Sequence, residues 1–255
     1  MKLRFYALVP LCLTFFIFSL GFVTFANEKG EEPEPVVIKT YEEDITGDGL
    51  KETIKLKGVL LSEDSDYFHK VWANIKGKYN QQWKIHFESG YKPTILFNDL
   101  THNKVNDMLY QSASKDNNEQ YNYQLYTLKN EKATEIPLPE QDYIQGKFKD
   151  NFKVDIRISH DADSEIVNIK NQASKYVQLG IYNEQGELQK PTSAVINPIS
   201  FIEPKLISKS KGMGMKSFQQ INATKNTDQL GTIETLWYYE KGDWIILKTK
   251  WVRED

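Results

Sequence analysis

Oxygen-bearing side chains between residues 44 and 52 follow the pattern of a loop that binds a hard cation. Asp44, Thr46 and Asp48 occupy alternate positions, and Glu52 follows after a gap of four. Ca²⁺ takes roughly six to eight oxygen ligands from a bent, crowded loop. Leu50 would contribute its backbone carbonyl, and the glycines at positions 47 and 49 permit the positive φ angles of such a bend. This stretch, called the first loop, is therefore predicted to hold a structural Ca²⁺ ion.

The same pattern recurs at a constant offset of 55 residues, as from Asp44 to Asp99. The positions that correspond to the five ligands are Asp99, Thr101, Asn103, Val105 and Asp107. In this second loop His102 and Lys104 replace the two glycines, and the lysine adds a positive charge. We therefore expect the second loop to keep the shape of the first and to bind metal weakly or not at all. A repeat period near 50 residues favours blades, solenoids or arrays.

Two alternatives remain open for these acidic stretches. Acidic turns with Asp-Gly are common between strands, so the first loop could be a turn that binds nothing. A third stretch, 161–165, shows the same alternation, but Ile169 stands where the last acid should be. It is a poor candidate for a calcium site and is better interpreted as a polar hairpin turn between two strands.

The first loop resembles the start of an EF-hand loop, with Thr46 in place of the second acid or amide. It departs from that loop at its end, because the acid is the ninth residue and the strand-like run 53–56 follows in place of a helix. This combination resembles the calcium loop of VCBS/FG-GAP-type repeats, the blades of integrin-α-like β-propellers. The resemblance implies antiparallel, blade-like meanders over residues 36–146 and structural Ca²⁺ in the loops. Two copies are fewer than the four blades that a closed propeller needs.

The elements that position the loops are predicted to be mainly β strands. Val36–Thr40 leads into the first loop and Thr53–Leu61 leaves it, as Pro93–Phe97 and Met108–Ser112 do for the second. No long window outside the N-terminal segment holds the helical period, and a short helix is predicted only near residues 208–222. The fold class is therefore mainly β, with a partial or small propeller-like arrangement.

The N-terminus has the pattern of an export signal. Lys2 and Arg4 precede an apolar run, and Ala26 offers a small residue for cleavage before Asn27. Residues 1–26 are predicted to be a signal peptide, although the segment 5–26 is long enough to serve as an uncleaved membrane anchor. The charged residues 27–35 would form a flexible spacer.

Charge and cysteine content narrow the function classes. The single cysteine, Cys12, lies in the export segment, so the exported chain would contain no disulfide. Loss of Lys2 and Arg4 would shift the formal net charge from −3 to about −5, which argues against general nucleic-acid binding. A cysteine-free exported protein is typical of Gram-positive bacteria.

Residues 147–255 are predicted to be a β-rich region of the same domain or of a second one, ending in a hairpin over 231–252.

Catalytic patterns are weak in this chain. There is no G-x-S-x-G, and the four histidines show no metal-ligand spacing. A glycosidase would need two acids across a cleft, which spacing alone does not show. Tyr238 and Trp251 belong to an aromatic-rich C-terminal segment and are candidates for stacking on a sugar or peptide, although β proteins also fill their cores with such residues.

The sequence thus predicts an exported, non-catalytic, calcium-binding β protein of the cell envelope or extracellular space, with a structural or interaction role. An extracellular glycan-binding module or hydrolase is one alternative. A structural protein of the spore envelope is another. An envelope protein or glycan would be the partner, and membrane contact would run only through residues 5–26.

Overall fold

The computed structural model describes residues 33–115, 120–141, 143–159, 164–225 and 229–254. Within these ranges the chain is mostly strand, and every pairing between the strands is antiparallel. The prediction of a mainly β fold is confirmed. The export segment and the acids at 161–163 lie outside the described residues, and no helix among the described ones is long and apolar enough to cross a membrane.

The N-terminal sheet consists of two successive four-stranded meanders. The first comprises β1 (Val36–Glu43), β2 (Glu52–Leu60), β3 (Tyr67–Lys76) and β4 (Gln82–Phe87). The second comprises β5 (Gly90–Asn98), β6 (Asp107–Ala113), β7 (Tyr121–Thr127) and β8 (Thr134–Ile136). The strand order is β1-β2-β3-β5-β6-β7-β8, with β4 paired only to β3. The start of β3 pairs with β5 and so joins the two meanders.

The register places the two candidate loops at equivalent positions. The first loop connects β1 to β2, and Glu43 lies opposite Glu52 where these strands separate. The second loop connects β5 to β6, and Asn98 lies opposite Asp107. Each meander therefore carries its loop between its first two strands. No sheet among the described strands closes on itself, so the propeller-like arrangement stays a prediction.

The C-terminal half contains two further sheets. Their strands are β9 (Gln145–Lys149), β10 (Lys153–Arg157), β11 (Glu165–Asn168), β12 (Val195–Ser208), β13 (Gly212–Asn222), β14 (Gln229–Glu240) and β15 (Asp243–Arg253). One sheet has the order β11-β10-β9, and the other has the order β12-β13-β14-β15. The final hairpin is confirmed, and its two turn residues, Lys241 and Gly242, have φ of 55° and 96°. Both positive angles suit the twist of a two-residue hairpin.

The helix predicted near residues 208–222 is wrong. Residues Gly212–Asn222 form β13, which pairs along its length with both β12 and β14. Burial along its second half alternates with a period of two, with Met215, Ser217 and Ile221 facing inward. The row also holds two polar residues: Ser217 accepts a hydrogen bond from the indole of Trp237, and the side-chain N–H of Gln219 donates to the backbone carbonyl of Asn197. The α-helix of the described chain, α1, is Ala173–Gln178.

A shared core joins the N-terminal sheet to the β12–β15 sheet. Leu109 and Leu125 from the second meander pack with Met215 and Trp237 from the C-terminal sheet. All four side chains are at most 2% exposed. Burial of such side chains contributes roughly 1.5–3 kcal/mol each, so this cluster fixes the second meander against the C-terminal sheet.

Candidate functional site

The first loop is held in shape by its own carboxylates. Asp44 accepts hydrogen bonds from the backbone N–H groups of Gly47 and Gly49, at 2.7 and 2.9 Å. Asp48 accepts a bond from the N–H of Leu50 at 2.8 Å. The two glycines have φ of 81° and 84°, as the sequence predicted for this bend.

Glu52 forms the base of the first loop. Its carboxylate is 1% exposed and accepts hydrogen bonds from the N–H of Ile45, at 3.0 Å, and the hydroxyl of Thr46, at 3.3 Å. Burial raises the pKa of Glu52; the bond from Ile45 opposes this rise, and the negative charges of Asp48 and Asp44 add to it. Three acids of one loop therefore repel one another around a buried carboxylate.

The donors of the first loop suit Ca²⁺ in their chemistry. Asp44, Asp48 and Glu52 supply carboxylate oxygens, and Thr46 supplies a hydroxyl oxygen. The side chain of Leu50 is 41% exposed, as expected of a residue whose contribution would be its carbonyl. Among the described residues no three acids, histidines or cysteines are already gathered as a metal cluster. The loop oxygens are instead engaged with N–H groups, and each carboxylate oxygen keeps a second lone pair for a cation.

The second loop repeats this network at the same offset. Asp107 is 0% exposed and accepts bonds from the N–H of Leu100, at 2.9 Å, and the hydroxyl of Thr101, at 3.1 Å. Asn103 accepts a bond from the N–H of Val105 at 2.9 Å, as Asp48 does from Leu50. The expectation that the second loop keeps the shape of the first is therefore confirmed.

His102 and Lys104 adopt the left-handed conformation of the glycines that they replace. Their φ angles are 57° and 68°. A residue with a Cβ is strained there, and the contacts of the second loop hold it in place. The carboxylate of Asp99 bonds the N–H of Lys104 at 3.0 Å, as Asp44 bonds that of Gly49.

Protein groups satisfy most of the oxygens of the second loop. The carboxylate of Asp107 accepts a further bond from the N–H of Thr101 at 2.8 Å, and burial raises its pKa. The side-chain amide of Asn103 donates to the hydroxyl of Thr127 at 3.1 Å, and the backbone carbonyl of Asn103 accepts a bond from the ammonium of Lys129 at 3.0 Å. A lysine cation therefore lies at this loop, whereas no lysine or arginine among the described residues pairs with an acid of the first loop.

The two loops touch each other. A Cβ built on Gly47 would lie 2.5 Å from Cγ2 of Val105. The side chain of Asn106 donates to the carboxylate of Glu43 at 2.8 Å. The two loops therefore pack directly against each other.

The second loop also contacts the C-terminal sheet. The ring of His102 stacks on Tyr238 with a centroid separation of 4.4 Å and an interplanar angle of 30°. The ammonium of Lys211 lies 4.7 Å from the centre of the same tyrosine ring. His102 thus fills the gap between the loop and the sheet, a role that glycine could not perform.

The structure does not bring the two predicted stacking aromatics together as one binding surface. Tyr238 is engaged by His102 and Lys211. Trp251 packs against the C-terminal core and covers Gly231, where a Cβ would lie 2.5 Å from the indole ring. These protein contacts occupy ring surface that a ligand would use. Their ligand-stacking role stays a prediction.

Sequence reasoning overlooked the outward face of β2, β3 and β4. Lys55, Lys57 and Lys84 point away from the core there, around the half-buried Trp72. The signal was present in the strict alternation of β2, where the lysines interleave with the buried Ile54 and Leu56.

Comparisons with known proteins give a family match in the C-terminal part of the chain and two similarities that cover most of it. Residues 142–252 match the family model described as the YybI C-terminal domain. The YybI protein of Bacillus subtilis (strain 168) is 22% identical over 212 residues, which cover 78% of each chain. The chain also aligns to a Bacillus licheniformis rhamnogalacturonan lyase, PL11, with 13% identity and a TM-score of 0.35. That alignment covers 85% of this chain and 34% of the lyase, and a likeness this weak supports no argument about activity.

Proposed function

We propose that this protein is an exported, non-catalytic β protein whose first loop binds one structural Ca²⁺ ion. Asp44, Asp48 and Glu52 would hold the ion with their carboxylates, Thr46 with its hydroxyl and Leu50 with its backbone carbonyl. The ion would supply positive charge at the turn between β1 and β2. It would have no part in chemistry.

The difference between two otherwise matching loops carries this proposal. Both share most of their hydrogen bonds, but the first places an acid at position 48 where the second has Asn103. The second loop also receives the ammonium of Lys129, while in the first burial raises the pKa of Glu52 and the negative charges of Asp48 and Asp44 add to the rise. The first loop is thus left with negative charge that a cation would neutralise.

A structural role follows from the position of the loop. Gly47 contacts the second loop at Val105, and the second loop contacts the C-terminal sheet through His102 and Tyr238. An ion bound only to the folded loop stabilises the folded state by mass action. We expect a dissociation constant of about 0.1–1 mM, the range of extracellular calcium modules.

Export and the blade-like arrangement belong to the same proposal. The N-terminal apolar segment and the repeat resemblance support them, and the two successive four-stranded meanders fit blades. The place of action would be the cell surface or the extracellular space. Fractionation of vegetative cells and spores, followed by immunodetection of the chain, would separate this location from the spore envelope.

Thermal unfolding with and without Ca²⁺ tests the proposal. The chain is treated with EDTA, dialysed, and melted in buffer alone, with Ca²⁺ and with Mg²⁺. We expect Ca²⁺ to raise Tm in the wild type and to have no effect in Asp48→Ala. The matched control is Asn103→Ala, which removes the corresponding side chain of the second loop and should keep the Ca²⁺-dependent rise. Identical melting of the wild type with and without Ca²⁺ would overturn the proposal.

A further inference from the structure

Nine outward-facing residues on three neighbouring strands form a grid, called here the lysine face. It consists of Thr53, Lys55 and Lys57 on β2, Trp72, Asn74 and Lys76 on β3, and Gln82, Lys84 and His86 on β4. The register aligns them in rows: Lys57 lies opposite Trp72, which lies opposite His86. In the next row Lys55 and Lys84 flank Asn74. Neighbouring strands are about 4.8 Å apart and alternate residues about 7 Å apart, so the cations form a dense array.

The positive charge of the lysine face is not neutralised within the described part of the chain. Lys55, Lys57, Lys76 and Lys84 form no ion pair among the described residues. The acid nearest in the register, Glu42, lies opposite Thr53 and accepts a bond from its hydroxyl at 3.2 Å. The array is basic although the chain as a whole has a formal net charge of −3. Its charge therefore suits an anionic partner.

Trp72 lies among these cations. The ammonium of Lys84 is 5.1 Å and that of Lys57 is 6.0 Å from the centre of its ring, and the ring of His86 is 6.5 Å away. Cation–π contacts at such exposed sites are weak, so the lysines can turn toward an incoming anion at small cost. The indole would then be free to contact the apolar face of a ring, with the cations beside it.

Two open grooves run along the lysine face and share Lys84. One, of about 520 Å³, is lined by Trp72, Lys84 and His86 on the face and, at its edge, by the acid Glu34 and by Lys70. The other, of about 570 Å³, is lined by Lys55, Asn74 and Lys84. Adjacent grooves of this kind form a track for a chain molecule. The polar side chains between the lysines, Asn74 among them, offer hydrogen bonds to hydroxyl groups.

We propose that the lysine face binds an acidic polysaccharide, with sugar rings stacked on Trp72 and their carboxylates bound to Lys55, Lys57 and Lys84. Hydroxyl-rich sugars match the amide and hydroxyl groups of the grid better than lipid tails do, because every residue of the grid except Trp72 is polar or charged. This inference uses none of the residues of the first loop. An experiment that refutes the calcium proposal therefore does not refute this inference, and an experiment that refutes this inference does not refute the calcium proposal.

Binding of the full chain to alginate, a linear polyuronate, tests the inference. The assay is run in EDTA, so that metal affects neither the protein nor the polymer, with neutral dextran as the comparison. We expect saturable binding to alginate that weakens with salt, and no binding to dextran. No binding to alginate would overturn the inference. So would tighter binding to single-stranded DNA or to anionic lipid vesicles at the same salt concentration.

Variants show whether this face is responsible. The double variant Lys55→Glu/Lys84→Glu should raise Kd for alginate about tenfold, because it replaces two attractions with two repulsions. The matched control is Lys190→Glu/Lys209→Glu, which makes the same charge change at exposed lysines elsewhere and should change Kd much less. Equal losses in both double variants would show a response to net charge alone and would overturn the inference. Trp72→Ala should raise Kd about fivefold while leaving Tm within a few degrees, since the side chain faces outward.

Discussion

The substitution Glu52→Gln removes the negative charge of the buried carboxylate in the first loop. It distinguishes the contribution of Glu52 to folding from its contribution to metal binding. The Gln carbonyl can accept the hydrogen bond of the Ile45 N–H, and the Gln amide can donate to the hydroxyl of Thr46. Both contacts of Glu52 are therefore kept without its charge.

Without metal, the effects of this substitution nearly cancel. A hydrogen bond to a charged acceptor contributes about 1 kcal/mol more than one to a neutral acceptor, and the variant loses that difference. It also removes a desolvated negative charge that Asp48 and Asp44 repel. We expect the free energy of unfolding in EDTA to change by no more than about 1 kcal/mol.

With Ca²⁺ the two proteins should diverge. At a free concentration of about 100 times Kd, the wild type gains about 2.7 kcal/mol, and a variant that does not bind gains nothing. In a domain of this size the gain corresponds to a rise in Tm of roughly 5–10 °C.

Urea unfolding of both proteins in EDTA and in Ca²⁺ measures this difference. The control is Asp107→Asn in the second loop, where the side chain meets the N–H groups of both Leu100 and Thr101. An amide cannot accept from both as well as a carboxylate does, so this variant should lose about 1–3 kcal/mol equally in both buffers. If the difference between wild type and Glu52→Gln is the same in EDTA and in Ca²⁺, the reasoning is refuted.

Three further predictions follow from the same contacts. Gly47→Ala should lower the free energy of unfolding, measured in urea, by about 2–4 kcal/mol, because its φ is strained and the new Cβ clashes with Val105. Gly49→Ala should lower it by only about 1 kcal/mol in the same assay, because a Cβ at that position points into open space. Leu109→Ala in the shared core should cost about 2–5 kcal/mol in the same assay, and equal stability to the wild type would contradict the core assignment. Burial raises the pKa of Glu52 above its ordinary 4.5, so its ionised form is disfavoured in the metal-free fold. The protonated form of Glu52 therefore stabilises the metal-free protein at low pH, and this contribution is lost as pH rises through the raised pKa. Ca²⁺ needs the ionised form, so titration calorimetry should show affinity falling on acidification through that range, and a pH-independent affinity between pH 4 and about 7 would contradict this.

The loops could be predicted from sequence because their information is local. The constant offset, the glycines and the alternating acids defined where each loop begins and ends. The structure places Glu43 opposite Glu52 and Asn98 opposite Asp107 in matching registers. Spacing did not reveal that these two acids are buried, because burial depends on the strands that surround them.

The error at residues 208–222 has a tertiary cause. Glycines and polar residues interrupt the apolar pattern of β13. Its inward row includes Ser217, whose polar side chain suggests a solvent-facing position, but Ser217 is buried because it accepts a hydrogen bond from the indole N–H of Trp237. The helix at Ala173–Gln178 had no usable signal, because a single turn with one buried residue, Tyr176, is too short for a period to appear.

Long-range contacts explain the rest. His102 keeps the left-handed conformation of the glycine that it replaces, with a φ of 57°. Its ring stacks on Tyr238, which is distant in sequence, so this contact could not be predicted from a single sequence. In the same way, alternation placed Lys55 and Lys57 on one side of a strand but could not tell whether that side would be covered.

The most direct test of the central claim is the number of Ca²⁺ ions bound per chain, measured by equilibrium dialysis with metal analysis. We predict one ion for the wild type, none for Glu52→Gln and one for Asp107→Asn. A wild type that binds no Ca²⁺ at millimolar concentration, or a Glu52→Gln variant that still binds one ion as tightly as the wild type, would contradict the assignment of the first loop as a calcium site.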